Sequence, residues 1–523
     1  MKTILKLMLI GALSCNLASC SSNKVYNPNR GEGNYILTPK ESPNVEIHGP
    51  SVFGVRPGSP FLFTIPATGE GKLTYAVENL PKGLSFDAHT GIIRGKIISK
   101  KHANYKVKFV VKNALGTASK NFVIKVGDEI CLTPPLGWNS WNCWGHEVSQ
   151  KNVLASATAM VNMGLKNYGW SFINIDDVWQ GKRGGKYNAI QPNPVSFPDM
   201  RELCDSIHNM GLKAGIYSTP WITTYAGYVG STSDYKSGYW KIPANKEEKN
   251  EGHHIGKYHF ENNDAKQWAE WGFDYLKYDW NPNDLTNTKL MYDALRNSGR
   301  DIVYSLSNTC PMAIGKKIST MANVIRTAGD LKARWDQPGS NLNIREEWQI
   351  HKHWLQMSFK GSIGHYPDPD MLVVGNAKKA MNSKYRLTAD EQYTHVSLWA
   401  LWSAPLLIGC PIETMDDFTL NLLTNSEVLD IQQDELCKSA VSILCSPKYE
   451  IFEKELADGN KAIGLFNLQD NEAQITLDWN VANLEGPQMF RDVWRQKNIG
   501  TYENSFSAIV PPHGVILLKV TSK

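Results

Sequence analysis

Between Leu132 and about Asp434, short apolar runs of β character alternate with longer segments of helical periodicity. No other feature of the chain restricts its fold as much. The runs are LGWNSW, SFINIDD, KAGIYS, YLKYD, DIVYSLS, NVIRTAGD, SIGHYPDPD and APLLIG, and segments between them such as KNVLASATAMVNMGL and NDAKQWAEWG carry apolar residues at helical spacing. A strand that is apolar on both sides needs cover on both sides, and a helix after each strand supplies it. Eight such units in about 300 residues predict an α/β fold of the (β/α)8 TIM-barrel type over residues 130–435.

The flanks read differently. Residues 44–127 form short alternating strands (PFLFTIP, KLTYAVE, GIIRGKI, YKVKFVVKN, KNFVIKV) divided by Gly, Pro and Asn, the pattern of a small antiparallel β-sandwich. The stretch NLPKGLSFDAHTGIIRGK resembles Ig-like modules attached to bacterial surface enzymes, and its expected job is that of a spacer rather than a carbohydrate contact. Residues 436–523 return to short strands (KAIGLFNL, AQITLDW, GVILLKV) and predict a second β-sandwich.

At the amino end, Lys2 and Lys6 precede a short apolar stretch and then small residues, the layout of a secretory signal too short to span a bilayer. Leu17-Ala18-Ser19-Cys20 resembles a bacterial lipobox, so residues 1–20 are expected to be a lipoprotein signal with Cys20 as the lipidation site. Residues 21–43, rich in Asn, Gly, Pro and Ser, read as a flexible spacer. The chain is therefore expected to be exported and held to a bacterial cell envelope by a lipid anchor, with no other membrane contact.

Charge and cysteine usage narrow the function. A formal net charge of +4 without a basic block argues against a nucleic-acid partner. Beyond Cys15 and Cys20 seven of the nine cysteines remain, with no Cys-x-x-Cys pair, which disfavours a zinc ribbon or a dense disulfide scaffold.

In a βα barrel the chemistry sits where strands end, because the loops that follow them ring one mouth. Trp141 and Asn142 follow strand 1, Asp176 and Asp177 end strand 2, and Tyr217 ends strand 3. Lys277 and Asp279 end strand 4, Arg326 and Asp330 end strand 6, and Asp368 and Asp370 end strand 7. Any one Asp here reads more simply as a helix cap. Convergence on one rim reverses that preference. Carboxylates with aromatic residues and few cations suit a neutral polyhydroxyl ligand, whereas a phosphorylated one would want a Gly-rich loop or several Arg and Lys. Metal-assisted hydrolysis would want histidines at strand ends; His351 and His353 fall in a helical stretch, so neither a metal nor another cofactor is expected.

Glycoside hydrolysis needs two carboxyl groups of unequal protonation. Lys277 lies two residues from Asp279 on one strand face, so its ammonium is expected to keep Asp279 ionised as a nucleophile. Asp330 has no such neighbour two residues away, so desolvation is expected to raise its pKa and let it carry a proton. A structural ion pair with Arg326 is the alternative and would oppose a large rise, but Arg326 is expected to face the substrate more than Asp330.

These motifs resemble glycoside hydrolase family 27, the clan of α-galactosidases and α-N-acetylgalactosaminidases. The likeness runs from PPLGWNSWN through INIDDVWQ, GLKAGIYS, YLKYD, RTAGD and DPDMLVVGN to SLWALWSAPLLIG and NSEVLDIQQDE, and weakly through RDVWR and PPHGVILL. It implies a retaining exo-glycosidase with Asp279 as nucleophile and Asp330 as acid/base, their carboxyls about 5–5.5 Å apart. It further implies that Asp176 and Asp177 hold O4 and O6 of a galactose-like ring, and that Trp141, Tyr217, Lys277, Arg326 and Asp370 line the pocket. A longer acid at position 176 would crowd C6 and favour a pentopyranose, so galactose is expected over L-arabinopyranose.

The likeness breaks beside C2. Family members usually follow the nucleophile with Gly-Cys and carry Cys-Glu-Trp after strand 5; this chain has Trp280-Asn281 and Ser307-Asn308-Thr309. Trp280 and Asn308 are therefore candidate substrate contacts. α-N-Acetylgalactosaminidase and β-L-arabinopyranosidase remain the alternative activities, and a non-catalytic sugar-binding protein the alternative of another class. An oligosaccharide or polysaccharide is the expected partner.

Overall fold

A computed structural model describes residues 25–99, 101–376 and 386–522; the signal-like segment and Cys20 lie outside the described residues. Eight strands form one parallel sheet. In chain order they are β1 (Leu136–Asn139), β2 (Phe172–Asn174), β3 (Lys213–Ser218), β4 (Tyr275–Asp279), β5 (Val303–Ser307), β6 (Val324–Arg326), β7 (Tyr366–Asp368) and β8 (Leu406–Ile408). Each pairs in parallel with the next from β1 to β7, and β8 pairs with β1. The sheet closes just beyond β7, where the Leu372 N–H donates to Leu407 O at 2.8 Å and Leu372 O accepts from the Gly409 N–H at 3.1 Å. The predicted barrel is present.

Alternation along β4 shows how the barrel sorts side chains. Tyr275 points inward and packs with Phe172, Val303 and Val324 in a small cluster that plugs the barrel interior. Leu276, Tyr278 and Trp280 point the other way, into the large core shared with the surrounding helices. Lys277 and Asp279 follow Tyr275 on the inner side and so reach the carboxyl-end mouth. Those helices begin at side-chain caps such as Ser149, Asp199, Asp284 and Asn343, each accepting a backbone N–H three residues on. None of the rim aspartates caps a helix in this way, so the bland explanation for Asp176 and Asp368 does not apply.

The flanking sandwiches sit at different ends. The amino-terminal one pairs a four-stranded sheet with a three-stranded sheet around Phe61, Ile93, Phe109 and Phe122. It docks on the amino ends of the barrel strands, away from the mouth. There the Arg56 N–H donates to Asp301 Oδ2 at 2.8 Å, Ser59 Oγ donates to Asp301 Oδ1 at 2.9 Å, Thr64 Oγ1 donates to Gly211 O at 2.8 Å, and the Lys213 ammonium lies 4.3 Å from the Phe53 ring centre. The carboxyl-terminal sandwich has a six-stranded antiparallel sheet and a two-stranded one around Ile463, Leu465, Phe490 and Phe506. It is tied to the barrel helix Ala389–Leu401, where the Trp494 indole N–H donates to Ser397 Oγ at 2.9 Å.

The described part of residues 21–43 differs from a free spacer. Tyr26 Oη donates to Asp492 Oδ2 at 2.8 Å, the Leu37 N–H donates to Tyr393 Oη at 3.0 Å, and Asn425 Nδ2 donates to Thr38 Oγ1 at 3.0 Å. Asn/Pro-rich composition hid the half-buried Tyr26 and Tyr35, which pin this strap across the sandwich and barrel, Tyr35 O accepting from Tyr393 Oη at 3.0 Å. Among the described residues the cysteines are unpaired, no helix is long and apolar enough to cross a membrane, and no group of three His, Cys, Asp or Glu side chains is placed to hold a metal.

Candidate active site

Three strands meet at Asp279. The pairing of β3 with β4 sets Tyr217 beside Lys277, and that of β4 with β5 sets Asp279 beside Ser307. Tyr217 Oη therefore reaches across and donates to Asp279 Oδ2 at 2.9 Å, while Asn308 Nδ2, just past β5, donates to Oδ1. Asn308 manages this from a left-handed backbone, φ 61°, which asparagine tolerates better than most residues. Both oxygens of a buried carboxyl are thus aimed by neutral donors. Burial pushes Asp279 up to about 6; the Lys277 ammonium pulls against the rise, and the charges on Asp330 and Asp176 add to it.

Lys277 does not bond the carboxylate it was expected to serve. Its Nζ donates to Asp176 Oδ2 at 2.8 Å, across two strands, because Asp176 faces the same inner surface beyond β2. Asn139 Nδ2 completes Asp176 at 2.9 Å, and Asp176 Oδ1 accepts the Asp177 N–H at 2.9 Å. Burial works against the Lys277 charge, but Asp176 and then Asp279 outweigh it and keep the ammonium protonated. Lys277 thus acts on Asp279 through space while holding Asp176 directly. Asn174, at the end of β2, fits against β3 only because position 215 is glycine: a Cβ there would sit 2.0 Å from Asn174 Oδ1.

Asp177 is buried and held by the loop after β3: its Oδ2 accepts the Ala226 N–H at 2.9 Å and its Oδ1 the Val178 N–H at 2.8 Å. Burial pushes it up to about 7 against those hydrogen bonds. The same loop carries Tyr225, whose ring packs against Trp221 and His253 and whose hydroxyl burial raises, with the charges of Asp279 and Asp330 adding to the effect.

On the far side Arg326 is the organising cation. Its Nη2 donates to Asp330 Oδ1 at 3.0 Å and to Gly329 O at 2.8 Å, and it forms an ion pair with Asp370 Oδ2 at 2.9 Å. The expected raised pKa of Asp330 and the expected preference of Arg326 for substrate are both corrected here. Burial favours a rise, but the Arg326 guanidinium, Lys277 and the Arg326 hydrogen bond together hold Asp330 below the usual carboxylate range. An i,i+4 spacing in a loop was enough for the Arg to fold back, and the Asp330 side chain keeps 53% of its surface open. Asp370, at φ 79°, accepts the Leu331 N–H at 2.8 Å; burial raises its pKa against Arg326. Asp368 is pushed up to about 6 by burial, again opposed by Arg326.

Trp141, half-buried, opens the short helix after β1, and Asn139 Oδ1 accepts its N–H at 2.9 Å. Trp280 stands apart from the mouth. It is 2% exposed, its indole N–H donates to Asp284 Oδ2 at 3.1 Å, and its ring packs edge-on to Tyr278. Strand alternation required this: an inward Asp279 turns residue 280 outward. Asn139, Tyr225 and Glu347 are neighbours of the site that the strand-end pattern did not single out. Glu347, on the helix Ile344–Met357, is fully buried with neither carboxyl oxygen bonded, and burial holds it well above the usual range even though Arg326 opposes the rise.

A barrel mouth with two carboxyls of different surroundings, flanked by carboxylate and aromatic side chains, defines a glycoside hydrolase. Residues 133–242 and 242–434 match the family described as Alpha galactosidase A, residues 446–520 its C-terminal β-sandwich domain, and residues 44–127 an Ig-domain family. The chain belongs to the α-galactosidases of glycoside hydrolase family 27. It is 33% identical to a Dictyostelium discoideum protein named "Probable alpha-galactosidase" over 79% of this chain and 98% of that one. It is 31% identical to alpha-galactosidase A of Cellvibrio japonicus over 76% and 94% of the two chains. A crystal structure of a candidate α-galactosidase/melibiase from Bacteroides fragilis superposes with a TM-score of 0.80 at 31% identity, covering 92% of this chain and 98% of that one.

Proposed function

We propose that this enzyme releases terminal α-D-galactosyl residues by a retaining double displacement. The observation that carries the proposal is Asp279, fixed at both oxygens by Tyr217 and Asn308 and facing a mouth that Asp330 shares. In the first half-reaction an Asp279 carboxylate oxygen attacks C1, the C1–O bond to the leaving group breaks, and Asp330 gives its proton to the departing oxygen. In the second, Asp330 as carboxylate takes a proton from water, the hydroxide oxygen attacks C1, and Asp279 leaves as carboxylate. The Arg326–Asp330 contact suits the second half, where Asp330 must be a base. For the first half, a bound ring covers the half-open Asp330 side chain, and that added desolvation favours its protonated form.

Asp176 and Asp177, held by Lys277, Asn139 and the Ala226 N–H, would accept hydrogen bonds from the C4 and C6 hydroxyls, with Trp141 as a further contact. On the C2 side Trp280 is turned away, so Asn308 is the nearest group past β5. An acetamido substituent would compete with Asn308 for space beside Asp279, which favours a C2 hydroxyl. The anomer first released from p-nitrophenyl α-galactoside, read by proton NMR, tests the mechanism: α-galactose supports retention and β-galactose refutes it. Asp279→Asn should cost about a thousand-fold or more in kcat. A panel of glycosides differing at C2 and C6 tests the specificity, and faster cleavage of the acetamido or arabinopyranosyl member would overturn it.

The lipobox-like segment supports export and attachment through Cys20, with the enzyme acting on glycans at the cell envelope. Metabolic labelling with a radioactive fatty acid should mark the wild-type chain and not Cys20→Ser; equal labelling of both would exclude Cys20 as the site.

A further inference from the structure

The loop that fixes Asp177 has two sides. The Ala226 N–H is turned to Asp177 at the catalytic mouth, whereas Ala226, Gly227 and Tyr228 also line a separate open groove of about 1060 Å³. Residues of the hairpin Gln180–Gly184/Ala189–Pro192, which follows β2, and of the segment from Trp240 to Lys249 complete the lining. Both hollows therefore open among loops at the same end of the barrel.

The chemistry of the groove is opposite to that of the mouth. Its lining contains Lys182, Arg183, Lys246 and Lys249 and no Asp or Glu. Arg183 is already neutralised, donating through Nη1 and Nη2 to Asp264, with 2% of its side chain exposed. The three lysines have no acidic partner within bonding distance among the described residues. Three ammoniums without an ion pair share this hollow, while Glu247, Glu248 and Glu251 of the helix Lys246–Glu251 lie outside its lining. Between them stand Trp240, whose ring is fixed by its indole N–H on Thr223 Oγ1 at 3.2 Å, the half-buried Tyr228, and Ile242, which is 65% exposed. Fixed aromatic faces cover the C–H side of sugar rings, and free lysines attract carboxylate or sulfate groups. Crowded carboxyls at the mouth repel the same groups.

We propose that this groove binds an acidic polysaccharide, a chain of uronate- or sulfate-bearing sugars, beside the catalytic pocket. Resting on the glycosidase reading above, it makes the preferred substrate a polymer whose neutral galactosyl ends enter the acidic mouth while its charged backbone lies along Trp240, Tyr228 and the three lysines.

Full-length Asp279→Asn enzyme titrated calorimetrically with polygalacturonate and with its methyl-esterified form tests the site. Polygalacturonate should bind, its methyl ester should bind at least about ten-fold more weakly, and raising salt from about 0.05 M to about 0.5 M should release the acid form. Trp240→Ala, and separately Lys182→Glu with Lys249→Glu, should each weaken binding about ten-fold or more. With Asp279 restored, the same groove variants should hydrolyse p-nitrophenyl α-galactoside at the wild-type rate. Equal binding of acid and ester, binding that survives both groove variants, or dextran sulfate bound equally by wild type and Trp240→Ala would each overturn the site. Loss of turnover in the groove variants with circular dichroism unchanged would do so as well. Failure of the catalytic reading is separate: it would appear as turnover retained by Asp279→Asn.

Discussion

Lys277→Met isolates the electrostatic role of one strand neighbour. The ammonium touches Asp176 at 2.8 Å and is the main charge opposing the burial-driven rise of Asp279 to about 6. Lys277 shares the inner face of β4 with Asp279, and a nearby opposite charge lowers a carboxyl by about 1–3 pH units, so its removal should raise Asp279 by about one unit or more, to about 7. With 2,4-dinitrophenyl α-galactoside the leaving group departs without a proton, so the acid limb of kcat/KM reads ionisation of Asp279 rather than of Asp330. At pH 6 about half of the wild-type carboxyl is ionised, against about one part in eleven at a pKa of 7, so the variant should show about five-fold less of its own plateau rate. The plateau itself will also fall, because Asp176 loses its cation, and breaking a buried pair costs about 3–5 kcal/mol in stability, so folding is checked by circular dichroism at the assay temperature. Only the position of the limb tests the assignment. An acid limb unmoved in a folded variant would refute it.

Three further outcomes follow from groups around the barrel. Asp274 accepts from Arg300 Nη2 at 2.6 Å and from the Ala214 N–H at 3.0 Å and bonds His208 Nε2 at 2.8 Å, so Asp274→Ala should lose about 3–5 kcal/mol by urea unfolding, and a loss under about 1 kcal/mol would contradict a structural role. Glu347 has a folded pKa well above its unfolded value, so the unfolded chain releases the proton first and stability falls as pH rises above about 4.3. Glu347→Gln should therefore melt above wild type at pH 8 with the gap closing near pH 4, and a lower melting temperature at both values would show that the carboxylate is used. Tyr217→Phe removes one of the two donors to Asp279 and should cut kcat about 10–100-fold at an almost unchanged KM; a change confined to KM would place Tyr217 on the substrate instead.

Which residues gather at the mouth was legible because strand periodicity is local: eight apolar runs with polar ends place Asp176, Lys277, Asp279, Arg326 and Asp370 on one rim of a barrel. How they pair was not. Lys277 meets Asp176 because barrel curvature brings the ends of β2 and β4 together over β3, and nothing in the two-residue spacing of Lys277 and Asp279 reports that. Arg326 returns to Asp330 through a tight loop whose path depends on Asp370 and the Leu331 N–H. The outward turn of Trp280 could have been read from the alternation that turned Asp279 inward. Glu347 gave no such signal, since in an amphipathic helix a glutamate ordinarily marks the solvent face.

The division of labour between the two carboxyls is tested most directly by trapping the intermediate. Asp330→Ala, supplied with 2,4-dinitrophenyl α-galactoside, can form the glycosyl ester but lacks the base that resolves it. Mass spectrometry of the digested enzyme should find one galactosyl unit on the peptide that contains Asp279, and added azide should discharge it as α-galactosyl azide. A galactosyl unit on any other carboxyl, or discharge as the β-azide, would contradict the assignment of Asp279 as nucleophile and Asp330 as acid/base.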